Sequence, residues 1–191
     1  MSRRIKTSIL FVIIILFCGG ILFAAVTGQS RIAIGADVGR QRIDYNKHYI
    51  DKATIGPGLK VEYTYRYDDF ISFGTALTAG YYKYEDFHTY WDIRLIPEFK
   101  MHFLGRKGDS AAGAFYLSAS IGIGPGLALR EDKQWGVYGL FNGMISAGYE
   151  FKGGLAIGVD IESSVTFQND ESIISMIDAA LVVSIPLGGK K

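Results

Sequence analysis

Cysteine, histidine and proline are scarce in this sequence: among 191 residues there are one cysteine, three histidines and four prolines. The cysteine, Cys18, lies in an N-terminal apolar run. With that run removed no thiol remains for a disulfide, a cysteine–metal site or a cysteine nucleophile. His48, His88 and His102 are scattered without metal-ligand spacing, so neither a metal nor a cofactor is expected. Charge of one sign is lacking too. The formal net charge is +1, which removes the electrostatic footprint of a nucleic-acid binder. What is plentiful is glycine, 24 residues, and aromatic residues, 14%. With little proline, that balance suits long regular strands.

The length suits one domain behind an address. Arg3, Arg4 and Lys6 precede an apolar run over 9–26, and Val26-Thr27-Gly28 offers modest side chains before Gln29. This is the three-part pattern of an export signal, 1–28, with a mature chain 29–191. The run is long for such a signal, so an uncleaved membrane anchor is the alternative. A lipid on Cys18 is a third reading, opposed by Phe17 where bacterial lipoprotein sites carry a small residue.

The stretch 90–103 sets the pattern of the rest. Trp91, Ile93, Leu95, Pro97, Phe99, Met101 and Phe103 alternate with Asp92, Arg94, Ile96, Glu98, Lys100 and His102. A period of two sustained this long predicts a strand with one apolar and one charged face. Its length matches a tilted membrane-spanning strand. Similar alternation predicts strands over 31–40, 59–67, 70–84, 114–129, 135–151, 155–167 and 173–187. Links are expected at 44–53, 85–89, 131–134 and 169–172 on one side. Asp68-Asp69, 105–113 and Lys152-Gly153-Gly154 link the other. Pro97, Pro125 and Pro186 fall inside strands. A bulge or strand end is expected at Pro125, between Gly124 and Gly126, while alternation gives no account of Pro97.

The fold class is therefore all-β: a single eight-stranded antiparallel up-and-down barrel, whose closure removes sticky edges. Alternation alone leaves open a soluble lipocalin-like carrier with its apolar column inside. Two features turn that column outward, toward lipid. Aromatic residues gather at two levels, as in membrane barrels. Tyr81, Tyr84, Phe87, Tyr90, Trp91, Trp135 and Phe167 form one belt. Tyr67, Phe70, Phe99, Phe103, Phe115, Tyr149 and Phe151 form the other. The second column also mixes charges with Gly, Ala and Ser, as a narrow interior requires. The expected lumen cluster is Lys60, Glu62, Arg66, Asp92, Arg94, Glu98, Lys100, Asp160, Glu162 and Asp178, joined by Asp37 and Glu150. Arg94 is expected at mid-height, its planar fork held by Glu62, Glu162 or Asp178.

Over 31–187 this pattern resembles the small eight-stranded outer-membrane barrels of the OmpA/OmpX kind. The resemblance implies a bacterial outer-membrane location, lipid and the barrel-assembly machinery as partners, and a monomer. Two features differ from that family: the last strand ends Val183-Ser184-Ile185-Pro186-Leu187 without a terminal aromatic, and the links expected on the outer side are short. Members related to the lipid A deacylases use a lipid-facing His and Ser close together. Here His88-Thr89-Tyr90 has no serine beside it, His48 is expected in a loop and His102 in an ion-pair network. Gly122-Ile123-Gly124-Pro125-Gly126 is not followed by a helix and so makes no phosphate loop. No catalytic constellation emerges, and a non-enzyme is expected. The leading reading is a structural or interaction barrel plugged by charge. A small ion channel is the alternative, with a lipid A-modifying enzyme and the soluble carrier behind it.

Overall fold

The computed structural model describes residues 29–45, 48–83, 90–105, 113–130, 135–167 and 173–187. The export-signal segment, Tyr84, Phe87 and His88 lie outside them. Eight strands follow one another: β1 (Gln29–Tyr45), β2 (His48–Arg66), β3 (Ile71–Tyr82), β4 (Tyr90–Leu104), β5 (Ala114–Arg130), β6 (Trp135–Glu150), β7 (Ala156–Phe167) and β8 (Ile173–Leu187). Each pairs antiparallel with its sequence neighbours, and β1 closes on β8 to complete a barrel.

The boundaries of β1 and β2 differ from expectation. The polar segment 44–53 is not a link: β1 runs to Tyr45, and β2 starts at His48, which is therefore a strand residue. Backbone pairing continues there although the polarity alternation has stopped.

Two turns at the end carrying Gln29 and Leu187 have visible causes. Asp68 Oδ1 accepts the backbone N–H groups of Phe70 and Ile71, each at 2.7 Å. Between Phe151 and Leu155, Gly154 has φ of 86°, a conformation that a Cβ would strain.

The prolines are accommodated without loss of register. β4 and β5 pair as far as Arg94↔Gly126 and resume at Glu98↔Gly122, leaving 95–97 and 123–125 unpaired across this seam. Pro97 keeps its partner Thr75 on β3, and Pro125 keeps Gly139 on β6. Two residues that cannot donate thus share one short gap, where fewest ladder bonds are lost. The bulge or strand end expected at Pro125 is absent. The register shifts within β4 only later, between His102 and Leu104. A Cβ at Gly124 would run into the carbonyl oxygen of Leu95, so glycine permits the close approach of the two strands at the gap. Pro57 lies one residue beyond the β2–β3 ladder, which begins at Gly58, and Pro186 pairs with Arg31.

Side chains sort by parity. Leu181 is 61% exposed, Ile123 61% and Phe73 49%, whereas Arg94 is 0% exposed and Glu162 3%. The apolar column faces out and the charged column in, the reverse of a soluble carrier. Apolar residues also stand inside: Ala76, Ile96, Tyr138 and Leu140 form one buried cluster, and Ala33, Ala180 and Val182 another. The outward face generates a prediction. Leu181→Arg should lower folding stability in lipid vesicles by about 2–4 kcal/mol, since a cation near the bilayer midplane costs about that much. Urea titration of vesicle-folded protein reads it, and a change below about 0.5 kcal/mol would show that this face does not meet hydrocarbon.

Candidate functional site

The lumen holds a network of ionisable side chains contributed by strands on opposite walls. Arg94, on β4, has Gly126 and Thr78 as its neighbours in register. Its Nη1 donates to Asp178 Oδ2 at 2.6 Å on β8, four strands away around the ring. The same nitrogen donates to Glu162 Oε1 at 3.2 Å on β7. Asp92 Oδ2 lies 3.5 Å from Nε. The expected partners Glu162 and Asp178 hold the guanidinium, while Glu62 is engaged elsewhere. The expected bidentate fork is not formed: one nitrogen serves both acids, and Nη2 has no hydrogen-bond partner among the described residues.

A second centre lies nearer the end that carries the turns. Lys60 Nζ sits 2.9 Å from Asp160 Oδ2, 3.6 Å from Glu162 Oε2 and 3.8 Å from Glu62 Oε2. Lys100 pairs closely with the other oxygen of Glu62. Glu162 therefore joins the two centres, one oxygen toward Arg94 and the other toward Lys60. The buried acids Asp37, Glu62, Asp92, Glu98, Glu150, Asp160, Glu162 and Asp178 outnumber the buried cations Lys60, Arg94 and Lys100. Glu98 shows the imbalance: Ser120 Oγ at 3.4 Å is its hydrogen-bond donor, and Oε1 has no partner among the described residues.

Both ends of the network are defined. Toward the ends of β3 and β4 away from the turns, Tyr82 donates to Asp178 at 3.3 Å and Tyr138 donates to Asp92. Tyr82, Leu140 and Met176 are almost fully buried. Toward the other end the lumen widens into a vestibule of about 80 Å³, lined in part by Arg31, Glu62, Lys100, His102, Tyr116 and Glu150. Arg31 bridges its rim, donating to Glu150 at 2.9 Å, to Ser184 at 3.2 Å and to the carbonyl of Gly154.

Of the residues expected in the cluster, Lys60, Glu62, Asp92, Arg94, Glu98, Lys100, Asp160, Glu162 and Asp178 are all buried. Arg66 is only half-buried. It lines the vestibule and donates to the carbonyls of Asp68 and Asp69, each at 3.1 Å. His102 bonds Ser72 Oγ at 2.6 Å and makes no ion pair among the described residues. Tyr82, Leu140, Met144 and Met176 were not foreseen inside. Strict parity with Gly80, Asn142 and Asp178 would have placed them there. Their apolar character hid them.

The aromatic residues divide in the same way. Tyr67, Phe70, Trp91, Phe103 and Phe115 are exposed, Phe115 most at 75%. Tyr81 packs on Trp91, Phe99 on Phe73, and Tyr149 on both Phe115 and Phe151. Trp135 and Phe167 are backbone members of β6 and β7, and Tyr84 lies outside the described residues.

Among the described residues, no group of three or more His, Cys, Asp or Glu is placed to hold a metal. Ser72 and His102 form a hydroxyl–imidazole pair, but Ser72 has 0% exposure and faces the lumen.

No family model and no curated protein matches the sequence. Solved structures do. Neisserial surface protein A matches with a TM-score of 0.54 at 8% identity, over 81% of this chain and 96% of that one. The outer membrane protein OprG from Pseudomonas aeruginosa matches with a TM-score of 0.54 at 8% identity, over 85% and 97%. The outer membrane enzyme PagL matches more weakly, with a TM-score of 0.43 at 16% identity, over 79% and 99%. The chain has the fold of the small eight-stranded outer-membrane β-barrels.

Proposed function

We propose that this chain resides in the bacterial outer membrane, where it plays a structural or interaction role with a lumen closed by paired charge. The observation that carries this reading is Arg94, without exposed surface, held between Asp178 and Glu162 on the opposite wall. A guanidinium held across the lumen in this way supports a closed interior over a conducting one. Lipid is the partner of the outward apolar column, the barrel-assembly machinery delivers the chain, and the working unit is a monomer. The end with the turns and the vestibule faces the periplasm.

Two other readings weaken on specific grounds. A carrier of apolar ligands needs an apolar lumen, and here the charged column is inside. A lipid-modifying enzyme needs its histidine and serine toward lipid, whereas Ser72 and His102 face inward and Ser72 is buried. A small channel keeps one supporting observation, the vestibule leading to an acid-rich network.

Planar-bilayer recording separates plug from channel. The wild-type barrel should carry no steady current, and Arg94→Ala should leak. Steady, salt-dependent current through wild type would remove the plug and establish the channel. Because Arg94→Ala leaves buried carboxylates without their cation, it should also cost about 3–5 kcal/mol in vesicle folding. N-terminal sequencing of membrane-extracted protein should begin at or near Gln29, and retention of Arg3 and Arg4 would identify an uncleaved anchor instead.

A further inference from the structure

We propose that Arg40 is a binding point for the phosphate of a membrane lipid at the barrel boundary remote from the turns. The inference rests on the membrane-barrel reading above. It begins from a census of the outward column. Among strand residues with described side chains, every outward position except one is apolar, glycine or an uncharged polar residue. The exception is Arg40, exposed on β1 directly after Val38 in the same column. Among the described side chains Asp, Glu, Lys and His are all absent from that column, while the inward column is full of them.

The surroundings of Arg40 are apolar. Its partners in register are Ile55 on β2 and Ile177 on β8. Val38, Ile55 and Ile177 are 55%, 71% and 58% exposed, so they face the same medium as the guanidinium. No hydrogen bond or ion pair to a described residue holds that group. A cation in this position has two ways to lower its cost in lipid. It can lie near the interface, where the penalty is small, and it can pair with an anion supplied by the lipid.

Position satisfies the first. Arg40 lies toward the end of β1 away from the turns, and β1 continues to Tyr45 beyond it. On the same half of the barrel, Tyr81 and Trp91 pack together with ring centroids 5.1 Å apart and planes tilted by 54°. Amphipathic aromatic rings of this kind occupy the headgroup level. The aliphatic stem of Arg40 can run along Ile55 and Ile177 while its head reaches upward. Headgroup chemistry satisfies the second. A guanidinium matches a phosphate through two parallel N–H donors, a geometry that a lysine ammonium does not reproduce. The phosphate can belong to a lipid A phosphomonoester or to a glycerophospholipid phosphodiester.

The test uses the full mature chain in detergent micelles doped with equal amounts of lipid A, phosphatidylglycerol and an uncharged galactolipid. Retained lipid is read by native mass spectrometry. Wild type should retain a phosphate-bearing lipid over the galactolipid by about tenfold. Arg40→Ala should abolish the preference, and Arg40→Lys should restore part of it. Loss confined to lipid A assigns the phosphomonoester. Loss confined to phosphatidylglycerol assigns the diester, and loss of both assigns phosphate in general. Equal retention by wild type and Arg40→Ala overturns the proposal. Insertion into vesicles is scored in parallel by the gel shift of folded against heated protein. A wild type that does not insert sinks the membrane-barrel reading itself, whereas normal insertion with unchanged retention sinks the lipid site alone.

Discussion

A guanidinium with no exposed surface must be paired, and the interior of this barrel depends on how Arg94 is paired. Its acids come from β7 and β8, so one ion-pair centre ties β4 to the far side of the ring. That crossing dictates its neighbours. Thr78 and Gly126 stand beside Arg94 in register, and a Cβ at Gly126 would run into the ring of Tyr138. Tyr82 and Tyr138 then hold Asp178 and Asp92 from the side away from the vestibule. Removing either acid would leave charge in a place that water reaches poorly, and that penalty exceeds the net worth of the pair.

The network is a single object because Glu162 is shared. One oxygen serves Arg94 and the other faces Lys60, which in turn meets Asp160 and Glu62. Charge therefore alternates along the lumen from Lys100 to Asp178. Lys60 and Arg94 each have more than one carboxylate within 4 Å, whereas Lys100 has Glu62. The excess of acids gives the shared cations more than one partner. It also leaves Glu98 poorly satisfied, with a weak contact to Ser120. A polar interior of this kind gains little net stability, but it fills space that lipid must not enter and fixes which strand faces which.

Much of this was legible in the sequence, because alternation is the one signal a membrane barrel must carry. Eight strands, their order and the inward face of Glu62, Arg94 and Glu162 all follow from a period of two. Three kinds of residue were not legible. The stretch 44–53 reads as a polar link because hydropathy stops alternating there, while backbone pairing goes on at Asp44↔Tyr49 and Tyr45↔His48. Polarity alone does not assign Leu140, Met144 and Met176 to the lumen because they are apolar, yet a narrow lumen is packed like a core and takes apolar residues too. Arg66 shares the parity of Lys60 and Glu62 but is the last residue of its strand, within reach of the carbonyls of Asp68 and Asp69. Parity gives the face and says nothing of height, and height decides whether a charge joins the cluster or the rim.

The seam at Pro97 and Pro125 illustrates what closure contributes. In an open sheet a proline is confined to an edge, because each interior strand depends on both neighbours for its hydrogen bonds. Here β4 and β5 lose pairing over one short stretch, yet Thr75 and Gly139 hold the two prolines from their other sides. The ring transmits the register through those flanking ladders, so pairing resumes at Glu98↔Gly122 without a slip. The buried cluster of Ala76, Ile96, Tyr138 and Leu140 places apolar groups on the lumen side near the gap. Water and ions are kept from backbone groups that lack a cross-strand partner, and those groups cannot open a path through the wall. A defect on one side of a strand is tolerable because the other side is never free, and that condition holds for every strand of a closed barrel.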